Sequence, residues 1–151
     1  MSGLALHTDL SALGRLEARM TRLTRAERRQ LLENAGAVLE SSARRRIESD
    51  KRGPDDIPWR DWSPAYAQTR HGGQSLLSAE GGLLDSLRAD VRGHEVEVGS
   101  NLVYAAVHQF GGAEVGMPIP ARPYLGVSPM DETDILSVVD AWADGLLGDL
   151  K

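Results

Sequence analysis

Apolar residues recur at intervals of three and four along the first third of the chain, which is the period of an amphipathic helix. This spacing holds over residues 10–23 and predicts a first helix there. Thr24 stands three residues before Glu27, and that spacing is the signature of a capping box opening a second helix. The apolar stripe that follows predicts that the second helix reaches about Ser49. Residues 1–50 are therefore expected to be mainly helical.

One arginine interrupts this apolar stripe. At about 100° per residue, Arg46 falls on the same face as Ala35 and Leu39, whereas Arg44 points to the other side. Charged side chains are rarely buried alone. We therefore expect that the helix outruns its own core, or that Arg46 extends to solvent or meets a carboxylate. A structural arginine is favoured over one that contacts a ligand.

Residues 51–75 are dense in proline, glycine, aspartate and tryptophan. Proline disfavours helical backbone in the residue before it, so the segment predicts an extended, ordered loop rather than a helix. Trp59 and Trp62 would be costly to leave in solvent. The loop is therefore expected to lie on the domain or to be completed by a neighbouring molecule.

Strict alternation of apolar and polar residues then predicts a β-hairpin. The alternation covers residues 86–98, and Arg92-Gly93-His94 forms the expected turn. Antiparallel pairing follows, because a connection this short joins only antiparallel strands.

The segment after the hairpin, "LVYAAVHQF", returns to helical spacing. Tyr104, Val107 and His108 share one face, and Gly111-Gly112 ends the predicted helix. We expect this helix to pack on the sheet, with the glycines letting the backbone turn or approach another subunit closely. A satisfied structural histidine is favoured for His108 over a general base.

The last third predicts a proline-punctuated segment and a closing helix. "MPIPARPYLGVS" suits an edge strand or an extended segment. Ser128-Pro129 predicts a helix start, with Asp131 and Glu132 in the first turn. The expected inward stripe of this helix consists of Ile135, Val139, Trp142 and Leu146.

Together these elements predict one α+β domain over residues 1–151. It comprises two amino-terminal helices, a small, mostly antiparallel sheet with a short helix, and a carboxyl-terminal helix. The expected divisions are a helical part (1–50), an extended loop (51–75), the sheet with its short helix (76–128) and the closing helix (129–147).

The charge is unevenly distributed, although the net charge is only −5. Residues 1–60 carry 12 basic and 9 acidic side chains, whereas residues 61–151 carry 5 basic and 13 acidic ones. This polarity suits a protein that stacks against partners or against its own copies. The acidic half would also suit a channel that DNA crosses without sticking, because like charges repel phosphates.

Several kinds of chemistry are not indicated by the sequence. There is no cysteine, which removes disulfides and thiolate chemistry. The four histidines lack metal-ligand spacing, and no nucleophile or phosphate-loop motif is present. Asp55, Asp56 and Asp61 could be imagined around magnesium, but "GPDD" is first of all turn chemistry. We expect no catalytic, cofactor or metal residues, no secretion signal and no membrane span.

Nucleic acid is the main alternative partner. The candidate basic surface consists of Arg44, Arg45, Arg46, Lys51 and Arg52. Acidic residues interleave with these cations, as on a solvated helix face, which argues against sequence-specific DNA recognition. A small adaptor that binds DNA or a head protein through this helix is the second function considered.

The ordered set "ARRRIESDKRGPDDIPWRDWSPAYAQTR", "LLDSLRADVRGHEVEVGSN", "YAAVHQFGG" and "IPARPYLGVS" resembles the bacteriophage virion morphogenesis, or tail completion, family of Mu-like and related tailed phages. Relatives often carry glycine where Asp56 stands. The resemblance implies a structural protein and not an enzyme, without cofactors. It implies a ring, usually hexameric, at the neck or the head-proximal end of the tail.

The same resemblance implies the partners and the location. These are copies of the chain itself, neck or connector proteins and tail-tube proteins of the virion, with DNA passing through the ring and assembly in the host cytoplasm. Arg122, held between two prolines, is expected to clamp a carboxylate, either internally or on the next subunit. The candidate interface consists of Trp59, Trp62, Tyr66, Tyr104, His108, Phe110, Gly111, Gly112, Arg122 and Tyr124.

Overall fold

The computed structural model describes residues 4–7 and 24–148. The first predicted helix, over residues 10–23, lies outside the described residues. A π-helical turn, Arg46–Asp50, continues the long helix, and a 3-10 turn, Ala113–Val115, follows the short one. The elements in chain order are β1 (Leu4–His7), α1 (Arg25–Arg45), α2 (Pro64–Ala67), α3 (Gly82–Ser86), β2 (Arg88–Arg92), β3 (Glu95–Ser100), α4 (Ala105–Phe110) and α5 (Pro129–Gly148).

Helix α1 begins at the predicted capping box. The Thr24 hydroxyl accepts a hydrogen bond from the Glu27 backbone at 3.2 Å, and the Glu27 carboxylate accepts one from the Thr24 backbone at 2.7 Å. The helical path ends at Lys51, whose φ of 53° reverses the chain. The predicted extent of this helix is therefore confirmed, with a π-helical last turn.

The predicted hairpin is confirmed, and the structure adds a third strand to it. Val91 pairs with Val96 next to the turn, and Leu6 of β1 pairs with Val98 on the other side. The described strands thus form an antiparallel sheet in the order β1-β3-β2. Strand β1 lies in the part of the chain expected to be mainly helical, and it was not predicted, because four residues are too few to show a period.

Helix α1 crosses the hairpin at very close range. A Cβ placed on Gly36 would lie 2.7 Å from Val96 Cγ2 and 3.0 Å from Ala89 Cβ. Further along the helix, the Glu40 carboxylate accepts a 2.8 Å hydrogen bond from the Ala89 backbone. The absence of a side chain at Gly36 therefore sets the distance between helix and sheet.

Helix α5 packs against α1 and closes the core. Ile135 and Val139 are buried, as the predicted stripe requires, and Trp142 packs at the margin. The side chain of Leu146 lies outside the described part. The buried apolar residues form one cluster, which includes Leu31, Ala35, Leu39, Ile47, Leu87, Val98, Ala105, Tyr124, Ile135 and Val139.

The connecting segments differ from the predictions in two places. The loop over residues 51–75 contains α2, so the prediction of no helix there was wrong: the Ser63 hydroxyl caps its start, and Pro64 supplies a helical φ at N1. The segment over residues 117–128 pairs with no described strand, so it is not an edge strand of the described sheet. Among the described helices, none is long and apolar enough to cross a bilayer.

Candidate interaction surface

A buried ion pair holds the proline-rich segment against the core. Arg46 is 4% exposed and Asp131 is 0% exposed, and Arg46 Nη2 donates to Asp131 Oδ2 at 2.5 Å. Arg46 Nη1 also donates to the backbone oxygens of Tyr124 at 3.1 Å and Gly126 at 3.2 Å. The expectation that Arg46 meets a carboxylate is therefore confirmed, and the carboxylate is that of Asp131. Assigning Arg46 to a basic surface was wrong, because its charge is used inside the fold.

Asp131 also helps to cap the start of α5, together with Ser128. Its carboxylate accepts a 2.7 Å hydrogen bond from the Ser128 backbone, and the Ser128 hydroxyl accepts one from the Asp131 backbone at 3.1 Å. Burial raises the pKa of Asp131, but Ser42, Ser128 and the Arg46 charge together outweigh burial and hold this pKa below its ordinary value. Ser42 Oγ and Asp131 Oδ1 are both buried without a hydrogen-bond partner among the described residues.

Gln109 fastens α4 to the same segment, and sequence reasoning missed it. Its amide nitrogen donates to Leu125 O at 3.0 Å, and its amide oxygen accepts from the backbones of Tyr124 and Leu125, each at 3.0 Å. The Tyr124 hydroxyl donates to Ala105 O at 3.0 Å, and burial raises the Tyr124 pKa. Tyr124 is fully buried, so its assignment to an interface was wrong.

Arg122 ties the tryptophan-containing loop to this framework. Its Nε donates to Arg60 O at 2.8 Å and its Nη2 donates to Asp61 O at 3.2 Å. Trp59 is buried, and its indole N–H donates to Pro123 O at 2.9 Å. Both side chains therefore act within the chain. Arg122 binds backbone carbonyls in place of the expected carboxylate, and Trp59 is not available to a partner.

Around Arg122 the structure gathers aromatic rings and further arginines at the surface. Trp62 and Tyr66 meet edge to face with centroids 5.9 Å apart, and the Arg70 guanidinium lies 4.5 Å from the centre of the Tyr66 ring. Tyr66 and Arg60 both lie close enough to influence the Arg122 charge. We call this region the aromatic–arginine surface; it consists of Arg60, Trp62, Tyr66, Arg70, Tyr104, His108 and Arg122.

His108 joins α4 to this surface. Its ring meets Tyr104 edge to face at 5.8 Å, and its backbone oxygen accepts a 2.7 Å hydrogen bond from Arg122. Burial and the nearby Arg122 charge lower the His108 pKa, and its buried Nδ1 has no hydrogen-bond partner. The neutral ring is therefore the form that the folded chain accommodates.

Exposed apolar side chains continue from this surface along α4 and the turn after it. Phe110 is 67% exposed, and Tyr66 and Tyr104 are 48% and 46% exposed. Val103, Val115 and Met117 are also exposed. Large exposed apolar side chains such as these are candidates for contact with another protein.

The glycines that end α4 serve a turn within the chain. Gly111 has a φ of 85°, and a Cβ on Gly112 would lie 2.7 Å from Met117 Cβ. The close approach that the sequence suggested is thus made by the chain to itself. Contact of these two glycines with another subunit stays a prediction.

The candidate basic surface is largely committed to internal contacts. Lys51 Nζ donates to Ile47 O, to the Ser75 hydroxyl at 2.9 Å and to Leu76 O at 2.9 Å, and burial lowers its pKa. Arg44 donates to Leu84 O and Leu87 O, each at 2.9 Å. The side chains of Lys51 and Arg44 therefore hold neighbouring segments of the fold together, and their assignment to the candidate basic surface was wrong.

The two remaining cations of that set pair with local carboxylates. Arg45 lies 3.2 Å from Asp50, and Arg52 lies 2.8 Å from Asp56. Asp56 has a φ of 64°, and Asp55 accepts a hydrogen bond from the Ile57 backbone at 3.1 Å. The turn chemistry predicted for "GPDD" is confirmed. Within the described residues no group of three or more His, Asp or Glu side chains could hold a metal ion.

Comparison with known proteins identifies a family over most of the chain. The sequence profile of the phage virion morphogenesis family matches residues 8–144. The chain belongs to this family. Its resemblance to the family, and the α+β fold expected from it, are therefore confirmed.

Two curated relatives support this assignment to the phage virion morphogenesis family. Mu-like prophage FluMu G protein 2 of Haemophilus influenzae is 36% identical over 115 residues, covering 74% of this chain and 75% of that protein. "Putative capsid assembly protein G" of Escherichia phage Mu is 32% identical over 111 residues, covering 68% of this chain and 71% of that protein. No solved structure matches. The chain therefore has a structural or assembly role in a phage.

Proposed function

We propose that this virion morphogenesis protein forms a ring at the head–tail junction, where it completes or terminates the tail and joins it to the DNA-filled head. The ring is built from copies of the chain, six by analogy with the family, and contacts connector and tail-tube proteins. DNA passes through its centre. The protein works as a structural part of the virion and catalyses no reaction.

The observation that carries this proposal is the aromatic–arginine surface together with its exposed apolar margin. Tyr66, Tyr104 and Phe110 are each about half exposed or more. Aromatic residues and arginine are the side chains most enriched at the energetic centres of protein interfaces. The buried contacts of Arg122 and Gln109 fix the backbone beneath this surface, so little order has to be gained on association.

The adaptor function receives no support from the arginine-rich helix. Each of its five candidate cations has a partner within the chain, and Arg46 is buried. Phosphate binding needs basic groups that are free to replace counterions. We therefore do not retain DNA binding through α1 as a second function.

Inactivation of the gene in the phage or prophage that carries it tests the proposal. Electron microscopy of the lysates is expected to show filled heads beside detached or overlong tails. Supplying the intact gene from a plasmid should restore joined particles. Normal, infectious particles in the mutant lysate would overturn a role at the junction, and an absence of heads would move the protein to an earlier step of assembly.

A further inference from the structure

We infer that the aromatic–arginine surface of one copy receives the solvent face of α5 from the next copy. This inference rests on the proposed ring and specifies its subunit contact. Two sets of surface charges carry it, one set on each side of the contact, and neither set finds an ion-pair partner in the part of the chain that the structure describes.

The first set lies on α5, which contains five acidic residues and no lysine, arginine or histidine. Asp131 is used in the core. The other four carboxylates are exposed, and none has an ion-pair or hydrogen-bond partner among the described residues: Glu132, Asp134, Asp140 and Asp144. Helix α5 is therefore a strongly acidic element whose exposed charge is not balanced by any residue in the described ranges 4–7 and 24–148.

Two of these charges, Asp140 and Asp144, do not serve the stability of the helix. Carboxylates stabilise a helix at its amino-terminal turn, and they are unfavourable near its carboxyl-terminal end. Asp140 and Asp144 lie in the second half of α5, and no cation stands four residues away from either. A partner outside the chain accounts for them better than helix stability does.

Three of the four exposed carboxylates lie on one side of the helix together with an apolar side chain. Glu132, Leu136, Asp140 and Asp144 follow one another at intervals of four residues, which places them along one stripe. All four are exposed, and Leu136 is 44% exposed. The stripe has the composition expected of a helix that docks on a basic, aromatic surface.

The second set of unpaired charges lies on the aromatic–arginine surface. Within the described chain, the exposed Arg60 and the half-buried Arg70 form no ion pair, whereas Arg122 is buried and donates to backbone carbonyls beside them. Arginine over an aromatic ring, as for Arg70 on Tyr66, keeps its outer N–H groups available for a carboxylate. Asp61 is the acidic residue whose charge acts on Arg122, and it leaves the region basic.

Contact between copies satisfies both sets at once. Because the two surfaces belong to different parts of the same chain, the contact is head to tail, and a repeated head-to-tail contact closes into a ring when its rotation allows. Opposite charges bring the surfaces together and set their register, while Leu136 and the exposed rings supply apolar contact. DNA would satisfy the arginines but would leave the acidic stripe without a partner.

Disulfide trapping tests the contact, and the chain suits it because it contains no cysteine. Ala67→Cys lies beside Tyr66, and Ser137→Cys lies beside Leu136; both positions are exposed, and both changes keep every charged residue. Mixing the two single variants under mild oxidation should give a cross-linked dimer. A chain with both cysteines should give a ladder of cross-linked oligomers. Gln30→Cys, exposed on α1, replaces Ser137→Cys in the matched control and should give no such dimer.

Charge reversal then tests the chemistry of the contact. Arg60→Glu with Arg70→Glu in the Ala67→Cys chain should lower the cross-linked yield by about tenfold or more. Asp140→Lys with Asp144→Lys in the Ser137→Cys chain should restore the yield with that partner. Circular dichroism of each variant checks that the fold is kept.

The remaining outcomes separate this contact from the ring itself. If native mass spectrometry of the unmodified chain shows oligomers while the Ala67→Cys and Ser137→Cys variants form no cross-link, that result would overturn the contact but not the ring. A cross-link to another virion protein in an infected culture, or a yield that charge reversal does not change, would overturn it as well. Single copies both in solution and in purified particles would overturn the proposed ring.

Discussion

At the scale of single residues, the pair of Arg46 and Asp131 dominates the structure. Both charges are buried, and their remaining hydrogen-bonding groups meet backbone atoms of Tyr124, Gly126 and Ser128. A buried pair of this kind adds little stability compared with apolar residues of the same shape, but loss of one partner strands the other charge. The contact joins the end of α1 to the start of α5.

We expect Asp131→Asn to lower the free energy of unfolding by about 3–5 kcal/mol, because Arg46 is then buried without a counter-charge. Urea denaturation followed by circular dichroism measures the change. Asp134→Asn is the control, since Asp134 is exposed and unpaired and should change stability by less than about 0.5 kcal/mol. Equal losses of unfolding free energy in the two variants would show that the Arg46–Asp131 pair does not contribute to stability beyond an exposed carboxylate.

The Asp131 pair also predicts the response to acid. The pKa of Asp131 is lower in the folded chain than its ordinary value of 3.8, so the stabilisation is complete above that value. It is lost as the pH falls through the folded-state pKa. His108 affects stability at a higher pH, because it is a base whose pKa is lowered from an ordinary value of 6.5.

For His108 we expect stability to rise with pH through the ordinary histidine value of 6.5. The folded chain disfavours the charged ring, so below 6.5 the unfolded chain binds the additional proton and is favoured. The melting temperature should therefore be lower at pH 5 than at pH 7.5. In His108→Gln that difference should shrink, whereas an unchanged difference would assign the pH dependence to other groups.

At the scale of elements, the distance between α1 and the hairpin depends on a missing side chain. Gly36→Ala should destabilise the fold by about 1–3 kcal/mol, because the new methyl group would overlap Val96 and Ala89. Gly145→Ala in α5 is the matched change in open space, and it should stabilise by about 0.5–1 kcal/mol. Chemical denaturation of both variants measures the change in the free energy of unfolding. A change of the same sign in both variants would exclude close packing at Gly36.

Elements with a strong local signal could be predicted from the sequence. The capping box of α1, the turn at Gly93 and the start of α5 at Ser128 each depend on neighbouring residues, and all three are present in the structure. Strand β1 could not be predicted in this way, since its pairing partner β3 lies some ninety residues further along the chain.

The candidate site was predictable in part for the same reason. Trp62, Tyr66, Tyr104 and His108 were identified as unusual side chains, and the structure gathers them on one surface. Trp59 and Tyr124 could not be told apart in the sequence from the aromatic residues on this surface, yet both are buried. Their burial depends on contacts with distant backbone atoms. Gln109 carries no local signal, since its role is to satisfy two backbone groups fifteen and sixteen residues away.

At the scale of the whole molecule, charge is divided between surfaces and is not spread evenly. The solvent side of α5 is acidic, whereas Arg60 and Arg70 on the aromatic–arginine surface have no carboxylate partner among the residues that the structure describes. A molecule divided in this way attracts its own copies in a fixed orientation. Its net charge of −5 limits non-specific association at the same time.

If this division drives assembly, association should weaken as salt is added. Screening shortens the reach of surface charges to about 10 Å at 0.1 M ionic strength and about 3 Å at 1 M. Sedimentation velocity in about 0.05 M and about 0.5 M sodium chloride should show the oligomer fraction falling in the unmodified chain. The chain with Arg60→Glu and Arg70→Glu should show little oligomer in either buffer. Association that strengthens with salt would instead indicate a mainly apolar contact.

The contact between Arg46 and Asp131 spans 85 positions of sequence, and this has a consequence for synthesis. A ribosome adds about 5–20 residues each second, so Arg46 leaves the exit tunnel several seconds before its counter-charge. During that interval α1 can form, but its carboxyl-terminal turn cannot be buried without stranding a charge. Completion of the core therefore waits for Asp131, and a nascent chain that stops short of it should remain a substrate for chaperones and proteases.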